Sequence, residues 1–167
     1  MLSELRITNL GVIAEADLEL HPGFTVVTGE TGAGKTMVVS SLQLLTGQRA
    51  DSSQVRNTAD EDISEARVEG RFYVDGLPDE LAHQTSELLA GCGAETDDDE
   101  SIIALRTIRS DGRSRAHLGG RSVPAGILAE FSRPLLTIHG QHDQLRLLSS
   151  AQQREACLLY TSPSPRD

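Results

Sequence analysis

A glycine-rich segment of eight residues constrains the fold of this chain more than any other feature. It reads Gly29-Glu30-Thr31-Gly32-Ala33-Gly34-Lys35-Thr36. The segment matches the phosphate-binding (Walker A) pattern G-x-x-x-x-G-K-[ST] in full, and that pattern requires an apolar strand before it and a helix after it. We predict the strand at Phe24–Thr28 and the helix at Lys35–Thr46, ended by Gly47. This order predicts an α/β fold of the P-loop NTPase class.

The residue types in this loop suit a nucleotide's terminal phosphates. Glycines let backbone N–H groups turn toward a polyanion, and a helix N-terminus adds a partial positive charge. Lys35, the only lysine among 15 basic residues, would reach the β and γ phosphates, and the Thr36 hydroxyl would ligate Mg²⁺. The sequence therefore predicts ATP and Mg²⁺ as cofactors. The alternative is a glycine-rich turn without a ligand.

The class of nucleotide-binding protein follows from what surrounds the loop. A GTPase needs an Asn-Lys base-reading segment and an Asp-x-x-Gly switch, and the sequence contains neither. Two strands, Leu2–Asn9 and Ala16–Leu20, are predicted before the strand that leads into the loop, and they would form an antiparallel hairpin. This arrangement favours an ABC-type ATPase head, with a mixed sheet and an antiparallel β portion.

The rest of the chain alternates strands and helices. The predicted elements are a strand at Glu65–Val74, a helix at Asp79–Gly91 capped by Asp79, a hairpin of Ser101–Ile108 with Ser114–Leu118 around Asp111-Gly112, a helix at Pro124–Phe131 and a buried strand at Leu135–His139. Residues 1–156 are predicted to form the head segment. Residues 157–167, rich in Ser and Pro, are predicted to be a disordered or non-native tail.

Three further segments carry a family resemblance. They are Leu5-x-Ile7-x-Asn9 with Ile13 and Gly23-Phe24, the segment Gly47-x-Arg49-Ala50-Asp51, and Ile138-His139-Gly140-Gln141-His142-Asp143-Gln144. Together with the phosphate loop, they resemble the structural-maintenance-of-chromosomes (SMC) group of ATPases and, within it, the RecN family of bacterial DNA repair ATPases. The resemblance covers roughly residues 1–156 and implies the N-terminal half of an ATPase head.

The resemblance also implies two functional residues outside the loop. Gln141 matches the family's glutamine that approaches Mg²⁺ and the attacking water, so it is predicted as a catalytic residue and as part of the metal site. A neutral amide suits an already anionic phosphate site, although a glutamine capping a turn is the alternative. Arg49 matches an arginine that reaches phosphate or DNA-responsive elements, or else it satisfies helix-end carbonyls.

The implied function is ATP binding within an ATPase of DNA double-strand break repair and recombination. The resemblance implies DNA as a partner of the intact protein, a homodimer, and a missing C-terminal half of the head. That half would carry the Asp-Glu strand (Walker B) and the signature motif, so this chain is predicted to be inactive alone. Leu118-Gly119-Gly120 lacks the signature's hydroxyl. The alternatives are a non-catalytic nucleotide-binding module or a fragment of another ABC-type recombination or chromosome ATPase.

Charge limits how such a protein could contact DNA. A net charge of −10 excludes nonspecific binding by the whole surface, so any contact must be local. One basic cluster is available: Arg106, Arg109, Arg113, Arg115 and Arg121. An ordinary hairpin surface is the alternative. His139 and His142 with Asp143 could also suggest a transition-metal site, although a loop fixes no common face for them. No apolar run is long enough for a membrane span, so a cytoplasmic protein is expected, and the family resemblance implies that it is associated with the nucleoid.

Overall fold

An antiparallel sheet of six strands organises the fold. The computed structural model describes residues 1–30, 32, 34–57 and 64–138. The strands are β1 (Leu2–Leu10), β2 (Ile13–Glu19), β3 (Glu65–Tyr73), β4 (Ser101–Arg109), β5 (Ser114–Leu118) and β6 (Arg121–Val123), and the α-helices are α1 (Lys35–Leu45), α2 (Asp79–Cys92) and α3 (Ala125–Ser132). The strand order is β2-β1-β3-β4-β5-β6. A short 3-10 turn, Ser52–Gln54, follows α1.

One face of the sheet forms the core. Strand β3 shows why, because Ala66, Val68 and Phe72 alternate with polar residues and are buried together. Helix α1 packs on β1, β3 and β4, and α3 packs on β5. The rings of Phe72 and Phe131 meet edge to face with centroids 5.4 Å apart, which joins the sheet to α3.

The opposite face of the sheet is polar and charged. Arg71 lies near its middle, where the guanidinium contacts Asp97 at 3.3 Å and Glu4 at 3.5 Å and donates to the Ser101 hydroxyl at 2.8 Å. Arg6 forms a similar pair with Asp17 at 2.7 Å. The amphipathic strands therefore leave one face for helices and one for solvent.

Most of the predicted elements are confirmed, and the α/β fold class with an antiparallel portion is confirmed with them. The predicted strand Phe24–Thr28 is wrong, because residues 21–30 lie outside helices and strands and are exposed. A strand needs a neighbour to accept and donate its backbone hydrogen bonds, and no described strand lies beside this segment. Likewise residues 135–138 form no strand, while His139 lies outside the described residues.

Two smaller predictions also differ from the structure. Asp79 is the first residue of α2 rather than its cap, and the cap position is held by Pro78, which has no side-chain hydrogen bond to offer. The strand β6 was not predicted, since its three residues are too few to show an alternating pattern.

Candidate functional site

The phosphate loop bends into the N-terminus of α1. Gly32 and Gly34 have φ values of 89° and 95°, in the left-handed region that glycine enters without strain. Gly34 caps the helix without a side-chain hydrogen bond, and the N–H groups of Met37 and Val38 donate to its carbonyl. The amides of Lys35 and Thr36 have no acceptor within the helix, so they and the helix dipole suit an anion.

The Lys35 side chain curls back over the loop that precedes it. Its ammonium group donates to the carbonyl of Gly29 and to that of Glu30, the latter at 2.6 Å. Both carbonyls lie before the helix begins, so the segment bends around the amine. A phosphate group is a stronger acceptor than these neutral carbonyls, and binding one requires the amine only to exchange partners.

The turn between β1 and β2 packs against the loop. A side chain at Gly34 would place its Cβ 3.1 Å from the Ile13 Cγ1, and one at Gly11 would place it 2.4 Å from the Met37 Sδ. A cavity of about 270 Å³ opens at this contact, and it is lined by Val12, Gly32, Gly34, Lys35, Thr36 and Met37. The sequence does not predict Val12 and Met37 as site residues, because they reach this cavity through the packing of the β1–β2 turn against α1. The turn-forming residues Asn9 and Gly11 are the only sequence signal for that turn.

The structure brings several of the predicted site residues together. Gly29, Glu30, Gly32, Gly34, Lys35 and Thr36 are described, and Thr36 lies at the start of α1. Thr31, Ala33 and Gln141 lie outside the described residues, as do His139 and His142. Within the described ranges, the side chains of His, Cys, Asp and Glu form no group of three that could hold a metal ion.

The predicted basic cluster is not one surface. Arg106 is buried on the core face of β4, whereas Arg109 and Arg113 lie on the exposed hairpin beside Asp111, at 3.4 and 3.8 Å. Arg121 donates to the Gly93 carbonyl at 2.9 Å. The exposed Arg115 stands opposite Thr107.

Arg67, which the sequence does not place in the basic cluster, lies close to Arg115 in the sheet. Thr107 pairs with Arg67 on its other side, so Arg67 and Arg115 flank the same threonine on the charged face of the sheet. Arg67 is paired with Glu69 at 2.6 Å. The sequence separation of β3 from β5 concealed this neighbour.

The two remaining segments singled out from the sequence occupy turns. Arg49 is exposed between α1 and the 3-10 turn. Hydrogen bonds from the backbone and hydroxyl of Ser53 lower the pKa of the Asp51 carboxyl, and the nearby Arg49 charge lowers it further. Gly119 and Gly120 form the turn between β5 and β6, with φ values of 50° and 74°, so they are not at a helix start.

Comparison with known proteins adds sequence relatives. A family model described as an AAA domain matches residues 4–116. The chain is 54% identical over 156 residues to the DNA repair protein RecN of Mycobacterium tuberculosis, and 54% identical over 156 residues to RecN of Streptomyces coelicolor. Each match covers 93% of this chain and 26% of the relative. The chain therefore spans about a quarter of the length of these relatives.

Solved structures share the fold at low sequence identity. One, from work on ATP-driven dimerization and DNA-stimulated activation of SMC ATPases, has a TM-score of 0.63 and 16% identity, and the match covers 93% of this chain and 96% of that one. The recombination mediator RecF bound to ATP has a TM-score of 0.60 and 16% identity over 96% of this chain and 38% of its own. No helix in the described ranges has the length and apolar composition of a membrane span.

Proposed function

The chain belongs to the AAA domain family, and from its identity to RecN proteins we propose that it is the ATP-binding N-terminal part of a RecN-like ATPase of DNA double-strand break repair and recombination. One observation carries the proposal. The sole lysine lies at the start of a helix whose first amides have no acceptor within the helix, with its amine held over a bent glycine loop.

The residues of the loop would divide the work of binding Mg²⁺-ATP. Backbone amides from residues 29–36 would surround the β and γ phosphates. Gly32 leaves space for their approach, since no described residue other than its chain neighbours has an atom within 4 Å of the position that a Cβ would take there. Lys35 would neutralise charge on these phosphates. The Thr36 hydroxyl, at the helix start, would supply an oxygen ligand to Mg²⁺.

The two amino groups of the chain offer a direct test of nucleotide contact. An amine-reactive reagent can label only Lys35 and the N-terminal amine of Met1. Burial lowers the pKa of the Met1 amine below its ordinary value, so part of it is neutral and reactive near neutral pH. We expect Mg²⁺-ATP to suppress labelling of Lys35, because the phosphates then hold its amine, and to leave Met1 labelling unchanged. Peptide mass spectrometry measures both; equal labelling of Lys35 with and without ATP would contradict the proposal.

Gln141 is proposed to contact Mg²⁺ or the water bound to it. Substitution Gln141→Ala is then expected to lower the affinity for Mg²⁺-ATP by about tenfold and to leave the affinity for metal-free ATP unchanged. Gln144→Ala, three residues along the same segment, is the matched control. Calorimetric titration with Mg²⁺ and with a chelator separates the two affinities, and equal losses in both conditions would assign Gln141 a purely structural role.

The partners follow from exposed apolar residues and from the relatives. Phe24, Val26 and Val27, just before the loop, are 92%, 61% and 44% exposed, as expected of a segment covered by another part of an ATPase head. The intact protein would contain that part, bind DNA, form a homodimer and reside in the cytoplasm at the nucleoid. Residues 157–167 would contribute nothing to the head. The exposed Arg113 and Arg115 are candidates for a DNA contact.

A non-catalytic nucleotide-binding module is the competing interpretation. Both proteins would bind ATP, so binding does not separate them. Phosphate release by the longer protein, supplied with ATP and DNA, does: the ATPase proposal expects turnover, and a protein that binds ATP without any turnover is a binding module.

A further inference from the structure

Arg106 is a buried arginine on the core face of the sheet. Only 5% of the residue is exposed. Its neighbours across the strands are Val68 and Ala116, and Ala104 and Ile108 lie on the same face of β4, all of them buried. The guanidinium extends toward Ser114, at the exposed end of the core face, and donates to its hydroxyl at 3.2 Å.

The hydrogen-bond partners of this side chain do not neutralise it. The Ser114 hydroxyl is uncharged, and the Nε atom is buried without an acceptor among the described residues. No carboxylate within the described ranges forms an ion pair with Arg106, whereas Arg6, Arg67 and Arg71 on the other face each have at least one carboxylate partner. Burial lowers the pKa of Arg106 below its ordinary value, but a guanidinium remains charged near neutral pH.

An unpaired buried cation is costly, and a hydrophobic residue would serve the packing better. Replacing buried charges by apolar side chains is often neutral or stabilising. An unpaired buried polar group in a native protein calls for an explanation, and a bound ion is one of the explanations that native structures provide. Binding of an anion is a requirement that a buried guanidinium can meet and an apolar side chain cannot.

We propose that Arg106 and Ser114 form an oxyanion-binding site for a phosphate group, separate from the phosphate loop. The Nε–H and one terminal N–H of a guanidinium lie side by side and can donate to two oxygens of one phosphate, and the Ser114 hydroxyl can donate to a third. The 3-10 turn packs against β4, and its Gln54 has a buried Oε1 that receives no hydrogen bond within the described ranges. The Nε atom is covered in this structure, so phosphate binding requires the atoms that cover it to shift, and the 3-10 turn against β4 is the segment we expect to move.

The test uses the Lys35→Ala chain, so that the phosphate loop does not contribute. Inorganic phosphate is titrated into Lys35→Ala, Lys35→Ala/Arg106→Met and Lys35→Ala/Arg133→Met, and Tm is measured; Arg133 is an exposed arginine at the end of α3. In the first and third proteins we expect Tm to rise with the logarithm of the phosphate concentration once that concentration exceeds Kd, and to reach about 4 °C above its starting value at ten times Kd. The Arg106→Met protein should show only the small rise, without this logarithmic dependence, that phosphate gives any protein through its exclusion from the protein surface. Without phosphate, its Tm should equal or exceed that of Lys35→Ala.

A second titration, with short duplex DNA in phosphate-free buffer, distinguishes the sources of the phosphate. An Arg106-dependent rise with DNA assigns the site to a nucleic-acid backbone, and a rise with inorganic phosphate alone assigns it to a free phosphate. Either result supports the site. The proposal is overturned if neither ligand gives an Arg106-dependent rise. Because every protein in the test lacks Lys35, that failure would leave the ATP-binding proposal untouched.

Discussion

Lys35→Ala is expected to lower the affinity of the chain for Mg²⁺-ATP by about 100-fold, the largest effect on binding of any single substitution considered. The ammonium is the only formal positive charge in the loop, and it already lies over it, bonded to the Gly29 and Glu30 carbonyls. Without it, only neutral amides and the helix dipole contact the phosphates, and these cannot offset the negative charge of a triphosphate. Titration with a fluorescent ATP analogue measures the loss.

The loss should be specific to the loop rather than to charge or folding. Arg133→Ala also removes one exposed positive charge, but from the end of α3, so its affinity should match that of the original chain. Lys35→Ala should keep the original Tm without nucleotide, since the bonds it loses are exposed and local. If ATP affinity is unchanged in Lys35→Ala, the loop is not a nucleotide site.

The strands could be predicted where burial follows the local pattern. Every second residue of β3 and β4 faces the core, and most of these residues are apolar. That period predicts Ala66, Val68 and Ile108 to be in the core. Phe24–Thr28 shows why the same reasoning fails elsewhere. Its apolar residues suit a strand, but pairing depends on a neighbour far along the chain, and local pattern carries no information about that neighbour.

The site residues divide in the same way, between those that a local sequence pattern predicts and those that depend on contacts between distant segments. The loop residues are adjacent in sequence, so their motif is complete in one segment. Val12 meets this loop only through the packing of the β1–β2 turn. Arg106 was grouped with exposed arginines by proximity, although its position in β4 has the same parity as Ile102, Ala104 and Ile108. The alternation of β4 therefore predicts that Arg106 is buried.

Gly47→Ala is expected to destabilise the fold by about 3 kcal/mol, because the glycine ends α1 at a point of contact with α3. Its φ is 78°, a conformation that costs an L residue about 1 kcal/mol or more. A Cβ would also stand 2.5 Å from the Ala129 Cβ and 2.7 Å from the Ala125 carbonyl oxygen, so α1 and α3 would have to separate. The sequence predicts the helix end at Gly47; only packing shows the second requirement.

Gly93→Ala separates the two costs. Gly93 ends α2 with a φ of 67°, but among the described residues none except its chain neighbours has an atom within 4 Å of a Cβ placed there. The conformational cost is therefore shared by the two variants, and the steric cost belongs to Gly47 alone. We expect Gly93→Ala to lose about 1 kcal/mol in urea denaturation and Gly47→Ala about 2 kcal/mol more. Equal losses would mean that α3 yields to the added methyl group, and that Gly47 is required for its backbone conformation but not for the contact between α1 and α3.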